Sequence, residues 1–513
     1  MNYMPMKLPK KLYKYVTVLF LITFCLRVVL VSYHNNNFGG IEPNVVYGIQ
    51  RILLGQPLYQ DPAAGSYGVI QYTPLHYYFV AGIAKLTGID GLNVQGVYML
   101  CRALALFFNL LTVIVCALII RSWRFSWAHC FVFAMPVLIM LTSHYYTRGD
   151  SMHLFFFTAA IYSYLLYSKS GAMRHVFVAA LFSAACIMVK QSGVLLFGIT
   201  GFCLLFIERR FWATVLYSLC TIIFVYAIAR ACIGNNNWHA FYQNAYLGLK
   251  NGISMRFLAE MFISQFFMEI VPCYILGGIM VWLAYKKIPD KTFSIMATGA
   301  ALSWLFAVIT GLKIGSSNNY FIEFLFFLVV ALPYLLQNEI GEKVLGRPFG
   351  RTLTIHRFAY IAFFILITSK TLGLFSAVVI ERGLKDSADA YANDENLYRY
   401  FTQTLHIQDS EKIFFTERHF LDNMFIEHAI IPNKDVVSQL YASNSGTFDY
   451  SGFILGMNNG MIKYIVTDEK KNDINEYNKE LPFILFDKTK FRLIATNSGY
   501  SIYVYSPGVV SVS

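Results

Sequence analysis

The chain has 513 residues, of which 57% are hydrophobic and 17% aromatic but only 14% charged, and its formal net charge is +12. Charged residues make up about 25% of an ordinary soluble domain, so that class is excluded. A nucleic-acid surface is excluded as well, because Lys and Arg cluster in short turns between long apolar blocks instead of forming a stripe. Blocks of about 20 apolar residues read as transmembrane helices, and the chain reads as a polytopic α-helical membrane protein.

Taken in order, the apolar blocks place spans near 15–33, 97–120, 129–146, 152–168, 175–190, 192–207, 212–233, 265–285, 292–312, 320–336 and 358–380, about eleven in all. Lys7, Lys10, Lys11 and Lys14 ahead of the first block imitate a signal peptide. The block is long for one and no small-x-small cleavage site follows, so an uncleaved first span is expected. All nine cysteines fall between Cys25 and Cys273, in or beside apolar blocks and without Cys/His metal spacing, and they read as small packing residues.

The first long interruption, 33–96, carries the densest signals. A polar landing, His34-Asn35-Asn36-Asn37, precedes Glu42-Pro43, which suits a helix start because Pro tolerates the first turn and a carboxylate favours the positive end. Val45, Val46, Ile49, Ile52 and Leu53 share one face of the helix to Leu54, and Asn44, Gly48 and Arg51 another. Too short to span, such a helix is expected to lie in the membrane surface with Glu42 and Arg51 just above the hydrocarbon. Gly55-Gln56-Pro57-Leu58-Tyr59 follows, and Tyr72-Thr73-Pro74-Leu75 opens a second short apolar helix ending near Leu86.

Further on, 234–264 is polar and aromatic and long enough to cover something, and 313–320 reads Lys-Ile-Gly-Ser-Ser-Asn-Asn-Tyr at a membrane edge. From about Glu381 the composition becomes that of a soluble domain. Strands are expected at 412–416 and 462–468 with helical stretches between, then a hairpin at 491–496 and 500–505 around Asn497-Ser498-Gly499. The expected organisation is a membrane domain over 1–380, with its first outer loop at 34–96 carrying interfacial helices, and a small α/β domain over 381–513. There is no Gly-x-Gly-x-x-Gly after a strand and no Walker loop.

Ionisable residues at membrane depth are costly and tend to mark function. Arg148-Gly149-Asp150 joins the third and fourth spans, and Lys190-Gln191-Ser192 joins the fifth and sixth in so tight a turn that Lys190 stays near the apolar boundary. With Glu42 they make two carboxylates and two cations. Each also has a plain structural reading. Lys190 snorkels to headgroups, Arg148 and Asp150 pair within a capped turn, and Glu42 is a helix-start carboxylate. Tyr72-Thr73-Pro74 starts a helix, and Asn319-Tyr320 is an interfacial anchor. His76 and His153 read as satisfied local histidines.

The joint pattern resembles the GT-C superfamily of membrane glycosyltransferases, which holds protein O-mannosyltransferases and lipid A aminoarabinose transferases. Carrying the resemblance are Glu42 just after the first span, Gly55-x-Pro57-Leu58-Tyr59, Tyr72-x-Pro74-Leu75, Arg148-Gly149-Asp150, Lys190-Gln191-x-Gly193 and Asn319-Tyr320-Phe321, over residues 15 to about 335. It implies transfer of a sugar from a polyprenyl-phosphate donor to an envelope glycan, lipid or protein, by an integral protein of a bacterial inner membrane. Glu42 and Asp150 would be the catalytic carboxylates, and Arg148, Lys190 and Arg51 would hold the donor phosphate. Tyr59, Tyr72, Pro74, Lys313, Asn319 and Tyr320 would bind substrate. Asp150 could complete a divalent-metal site with Glu42, although two carboxylates alone point to one only weakly. A transporter or flippase of lipid-linked glycans is the alternative, and a receptor or assembly factor a more distant one. Transporters favour midplane polar groups in repeated halves, which this pattern lacks.

Orientation follows from the short loops. Arg121/Arg124, Lys169/Arg174, Arg209/Arg210, Lys286/Lys287/Lys291 and Lys343/Arg347/Arg351/Arg357 fall on the side of the N-terminal lysines, while Arg51, Arg148, Lys190 and Lys313 stand singly on the other. The N-terminus is therefore expected in the cytoplasm and the tail outside. A reporter active only in the cytoplasm, fused after Ser513, should be silent, and an active fusion would invert the topology.

Overall fold

The computed structural model describes residues 10–33, 42–140, 147–235, 237–263, 267–285, 290–316, 318–337, 344–346, 353–376, 384–416, 419–430, 448–469 and 490–506. Outside them fall Lys7, the 34–37 landing, Asn236, Ser264, Lys286, Lys287, Lys343, Arg347, Arg351, Glu381 and the span portions 141–146, 265–266 and 377–380. The chain divides into two compact units, each assembled from three stretches of sequence. The first comprises Met1–Val31, Arg102–Ala231 and Ile253–Glu381, and the second Ser32–Cys101, Cys232–Gly252 and Arg382–Ser513.

In chain order, α1 (Lys10–Val31) belongs to the first unit, α2 (Glu42–Leu53) and α3 (Leu75–Leu86) to the second, and α4 (Val94–Arg121) runs from the second into the first. There follow α5 (Trp127–Met140), α6 (Asp150–Ser170), α7 (Arg174–Val189), α8 (Val194–Phe202) and α9 (Phe211–Ile233). After α10 (Trp238–Ala245) in the second unit come α11 (Met255–Ile263), α12 (Phe267–Tyr285), α13 (Lys291–Gly311), α14 (Ile322–Gln337) and α15 (Ile355–Phe375). Each apolar block expected as a span is thus largely helical over its described residues. Among the described residues, α1, α4, α9 and α13 are long and apolar enough by themselves to cross a membrane.

The first unit has the surface of a membrane protein. Leu219, Ile222, Ile223 and Tyr226 of α9 are exposed together, as are Leu305 and Ile309 of α13, an apolar surface that water would not tolerate. Its ends differ in charge. At one end Lys169 Nζ donates to the Ser122 carbonyl at 2.9 Å, Ser168 donates to Glu208, and Lys291 pairs with the same carboxylate, so four successive basic turns meet. Asp150 and Lys190 lie at the other ends of α6 and α7.

The second unit is built on a four-stranded sheet of β3 (Lys412–Phe415), β4 (Ile462–Asp468), β5 (Phe491–Asn497) and β6 (Tyr500–Tyr505); a separate two-stranded ladder, β1 (Val344–Gly346) with β2 (Leu353–Thr354), lies in the first unit. The strand order is β3-β4-β6-β5, with β3 parallel to β4 and the β5–β6 pair antiparallel. Ser498 and Gly499 both have positive φ, 52° and 83°, between the paired Asn497 and Tyr500. Two consecutive left-handed residues match the strand twist at a two-residue turn, which is why this short sequence closes a hairpin. Helices α16 (Leu384–Arg399) and α17 (His419–Met424) accompany the sheet.

Protein covers helix α2 on both of the faces that its amphipathic pattern marks. Every residue from Glu42 to Ile52 is buried, the polar face included. That face is satisfied by protein: Asn44 donates to the Val69 carbonyl at 2.6 Å, and Gln50 Nε2 to the Gly91 carbonyl at 2.7 Å. Asn423 of α17 completes the cover. Its amide donates to the Pro43 carbonyl at 3.0 Å and Gln50 Oε1 at 2.9 Å, and its Oδ1 accepts from Tyr98 at 3.1 Å. The 232–252 segment packs on the same loop, with Asn244 Oδ1 accepting from the Ile70 amide at 2.8 Å and Gln71 donating to the Gly248 carbonyl at 2.5 Å.

Candidate active site

The site of the first unit grows from three helix ends. Helix α6 begins at Asp150 directly after Arg148-Gly149, and Asp150 at a helix start has the macrodipole in its favour. Helix α7 stops at Val189, and Lys190 turns extended (φ −155°, ψ 135°) before the short 3-10 turn Gln191–Gly193. Gly193 makes that reversal possible, since a Cβ there would lie 2.5 Å from the Cys186 carbonyl carbon and the Ile187 nitrogen. The third end is the 3-10 turn Asn318–Phe321 ahead of α14.

These ends converge on one carboxylate. Lys190 Nζ lies 2.7 Å from Asp150 Oδ1 and Arg148 Nε 3.0 Å from Oδ2, with all three side chains largely buried. Asn319 Nδ2 also reaches Oδ1, at 3.3 Å, and the Lys190 ammonium stands 5.5 Å from the centre of the Tyr320 ring. Lys313, in the loop after α13, is pushed down to about 8, first by burial and then by the Lys190 charge. Of the residues expected at the site, Arg148, Asp150, Lys190, Asn319 and Tyr320 thus form one cluster, and Lys313 lies within electrostatic reach of Lys190. The plain reading that Arg148 pairs with Asp150 holds too, but Lys190 and Asn319 share the acid.

One turn deeper lies a second polar layer. His153 Nε2 lies 2.9 Å from Glu323 Oε1, and its Nδ1 lies 3.3 Å from Cys186 Sγ, all fully or nearly buried. His153 is a satisfied histidine, as expected. Glu323 and Cys186 drew no attention in the sequence, although the spacing held a signal. Asp150/His153, Cys186/Lys190 and Asn319/Glu323 are i,i+3 or i,i+4 pairs, so each element that supplies the first layer also supplies the second.

Glu42, Arg51, Tyr59, Tyr72 and Pro74 belong to the second unit. Glu42 is fully buried at the first residue of α2. Arg51 donates from Nε to the Pro57 carbonyl at 2.9 Å and from a terminal nitrogen to Tyr47 Oη at 3.1 Å. Tyr59 donates to the Tyr72 carbonyl at 2.8 Å and meets Phe241 edge-on, and burial pushes its hydroxyl well above the usual phenol range. Pro74 occupies the cap position of α3. As for a divalent ion, both Asp150 oxygens already face cations, and among the described residues no three His, Cys, Asp or Glu side chains stand together. That donor set does not fit a metal at Asp150.

The architecture is similar to that of solved GT-C membrane glycosyltransferases. One is the lipid A aminoarabinose transferase ArnT from Cupriavidus metallidurans bound to undecaprenyl phosphate, at 12% identity and a TM-score of 0.56 over 96% of this chain and 98% of that one. The archaeal oligosaccharyltransferase AglB from Archaeoglobus fulgidus, in complex with an inhibitory peptide and a dolichol-phosphate, is similar at 12% identity and a TM-score of 0.52, over 98% of this chain and 75% of that one. No family model matches the chain, and no curated protein does.

Gly193 gives this geometry a direct check. Gly193→Ala should force the α7 turn open, pull Lys190 away from Asp150 and cost about 1–3 kcal/mol, as overpacking does. A fall in thermal unfolding midpoint should report it. Ser192, whose hydroxyl has no hydrogen-bond partner among the described residues, should tolerate replacement by Ala with no fall in the midpoint.

Proposed function

We propose that the chain is a membrane glycosyltransferase that moves a sugar from a polyprenyl-phosphate donor to an envelope glycan, lipid or protein beyond the cytoplasm, in a bacterial inner membrane. The observation that carries this reading is the clustering of Arg148 and Lys190 on a single buried carboxylate at one end of the first unit, with the Lys313 charge close enough to feel Lys190. Cations in excess of acid at an apolar boundary suit a phosphate that gains charge as it leaves. The fold supports the reading, and so do the ligands of similar structures: ArnT is bound to undecaprenyl phosphate and AglB to a dolichol-phosphate. The eleven apolar blocks then serve as spans, with the basic turns cytoplasmic and the Asp150 end of α6 on the far side. Polar groups gathered at helix ends favour transfer over transport, which places them at the midplane.

The chemistry balances without a nucleotide. The acceptor hydroxyl oxygen bonds to the anomeric carbon of the donor sugar as the bond from that carbon to the phosphate oxygen breaks. The hydroxyl proton passes to a carboxylate, and the phosphate leaves on its lipid with the electron pair. We assign Glu42, a carboxylate buried at the first residue of α2, as the base. Arg148 and Lys190 hold the phosphate, with Asn319, Tyr320 and Lys313 beside them. Tyr59, Tyr72 and Pro74 shape the substrate side of the first loop. Arg51, whose Nε and one terminal nitrogen are held by the Pro57 carbonyl and Tyr47 Oη, we place on the wall of the cavity described below.

Lys190→Met and Arg148→Gln should each weaken polyprenyl-phosphate binding by at least about tenfold, the scale of one charge-assisted hydrogen bond. Unchanged affinity in both would reject the assignment.

Binding should also depend on pH through Lys313. It is charged below about 8 and neutral above, so affinity for polyprenyl phosphate should fall as pH rises through that value. Lys313→Met should remove the step.

Glu42→Gln should bind donor normally but transfer sugar at least about a hundredfold more slowly, as loss of a general base does. Single-turnover transfer at matched protein level measures this, and near-normal turnover would sink the base assignment.

A further inference from the structure

A cavity of about 480 Å³ lies wholly within the second unit and apart from the Asp150 cluster's own residues. Tyr47 and Arg51 of α2, Gln60 and Ser66 of the following loop, and Lys412 and Glu427 of the tail line it. Its size falls in the range of small-ligand sites, about 300–1,000 Å³. Its chemistry narrows the ligand. Arg51 and Lys412 are offset by Asp409 and Glu427, so the wall carries no net charge and does not select a polyanion. What remains is a dense set of amides, hydroxyls and charged groups able to donate and accept at several points, which is what a polyhydroxyl ligand requires. Ile426 and Ile430 add a small apolar patch for the C–H face of a pyranose ring.

The wall is preorganised. The Tyr47 and Ser66 hydroxyls are hydrogen-bonded at 2.7 Å, Gln60 Nε2 donates to the same Ser66, and Arg51 is fixed from both sides by Pro57 and Tyr47. Lys412 Nζ donates to the Glu427 carbonyl at 2.7 Å. Side chains locked before a ligand arrives give binding its selectivity at low ordering cost. A peptide suits the cavity less well. Peptide recognition uses a free strand edge or deep apolar pockets, and β3 is already bridged by Ala429 beside this wall.

We propose that this cavity binds a neutral saccharide, the carbohydrate portion of the acceptor. Its use as an acceptor site rests on the transferase reading, whereas saccharide binding does not. The full-length protein in lipid nanodiscs, carrying a fluorescent label, is presented to a printed array of neutral and acidic bacterial-envelope oligosaccharides and, separately, of linear peptides. Polyprenyl-phosphate affinity is measured on the same samples.

Neutral saccharides should be retained, and Gln60→Leu should reduce that retention at least about tenfold with polyprenyl-phosphate affinity unchanged. Gln56→Leu alters an exposed part of the same wall and should do likewise, which guards against a folding defect at Gln60. Four results would overturn the proposal: no saccharide retained by protein that still binds polyprenyl phosphate, equal retention by both variants, retention of acidic saccharides alone, or retention of peptides in place of saccharides. Saccharide retention without polyprenyl-phosphate affinity would uphold the cavity and sink the transferase reading.

Discussion

Asp150 shared between Lys190 and Arg148 is the interaction on which the candidate site depends. Buried ion pairs are poor sources of stability. Opposite charges about 4 Å apart attract by about 4 kcal/mol at an effective dielectric of 20, while each buried ion loses several kcal/mol of solvation. An arrangement that gains little is held by its surroundings. The reversal permitted by Gly193 delivers Lys190, the start of α6 delivers Asp150, and Asn319 supplies a further hydrogen bond. On the proposed reading, Asp150 keeps the cations placed and charged until a phosphate takes its share of them. A second anion is then met by groups already desolvated and oriented, the condition under which electrostatic stabilisation is strongest.

The deeper layer explains how three separate elements keep that register. His153, Glu323 and Cys186, on α6, α14 and α7, sit one turn below Asp150, Asn319 and Lys190 at or just beyond the ends of the same helices. A slip of any one helix would separate both layers together, so the buried pair acts as a pin for the site above it. In the second unit Asn423 has a comparable role, binding the Pro43 carbonyl beside Glu42 and both ends of the Gln50 amide. The tail therefore helps to hold the start of α2, the position assigned to the base.

Much of this was legible in the sequence, and what was not has identifiable reasons. Apolar length marks helices one by one, and Ser498-Gly499 marks its hairpin, because both signals are local. Arg148, Asp150 and Lys190 stood out because charge at an apolar boundary is costly wherever it occurs. The burial of α2 was missed because an amphipathic stripe reports two kinds of face but not what covers the polar one. Here the cover is protein, including Asn423, some 380 residues from Pro43. Glu323 and Cys186 were missed because each looks ordinary until its partner helix is placed beside it.

The central claim is that Arg148 and Lys190 are a phosphate site. A structure of the full chain determined with polyprenyl phosphate bound tests it most directly. The account predicts phosphate oxygens in hydrogen-bonding contact with both Lys190 Nζ and the Arg148 guanidinium, their bonds to Asp150 loosened. A lipid phosphate bound elsewhere, with the Asp150–Lys190 pair intact at 2.7 Å, would contradict it.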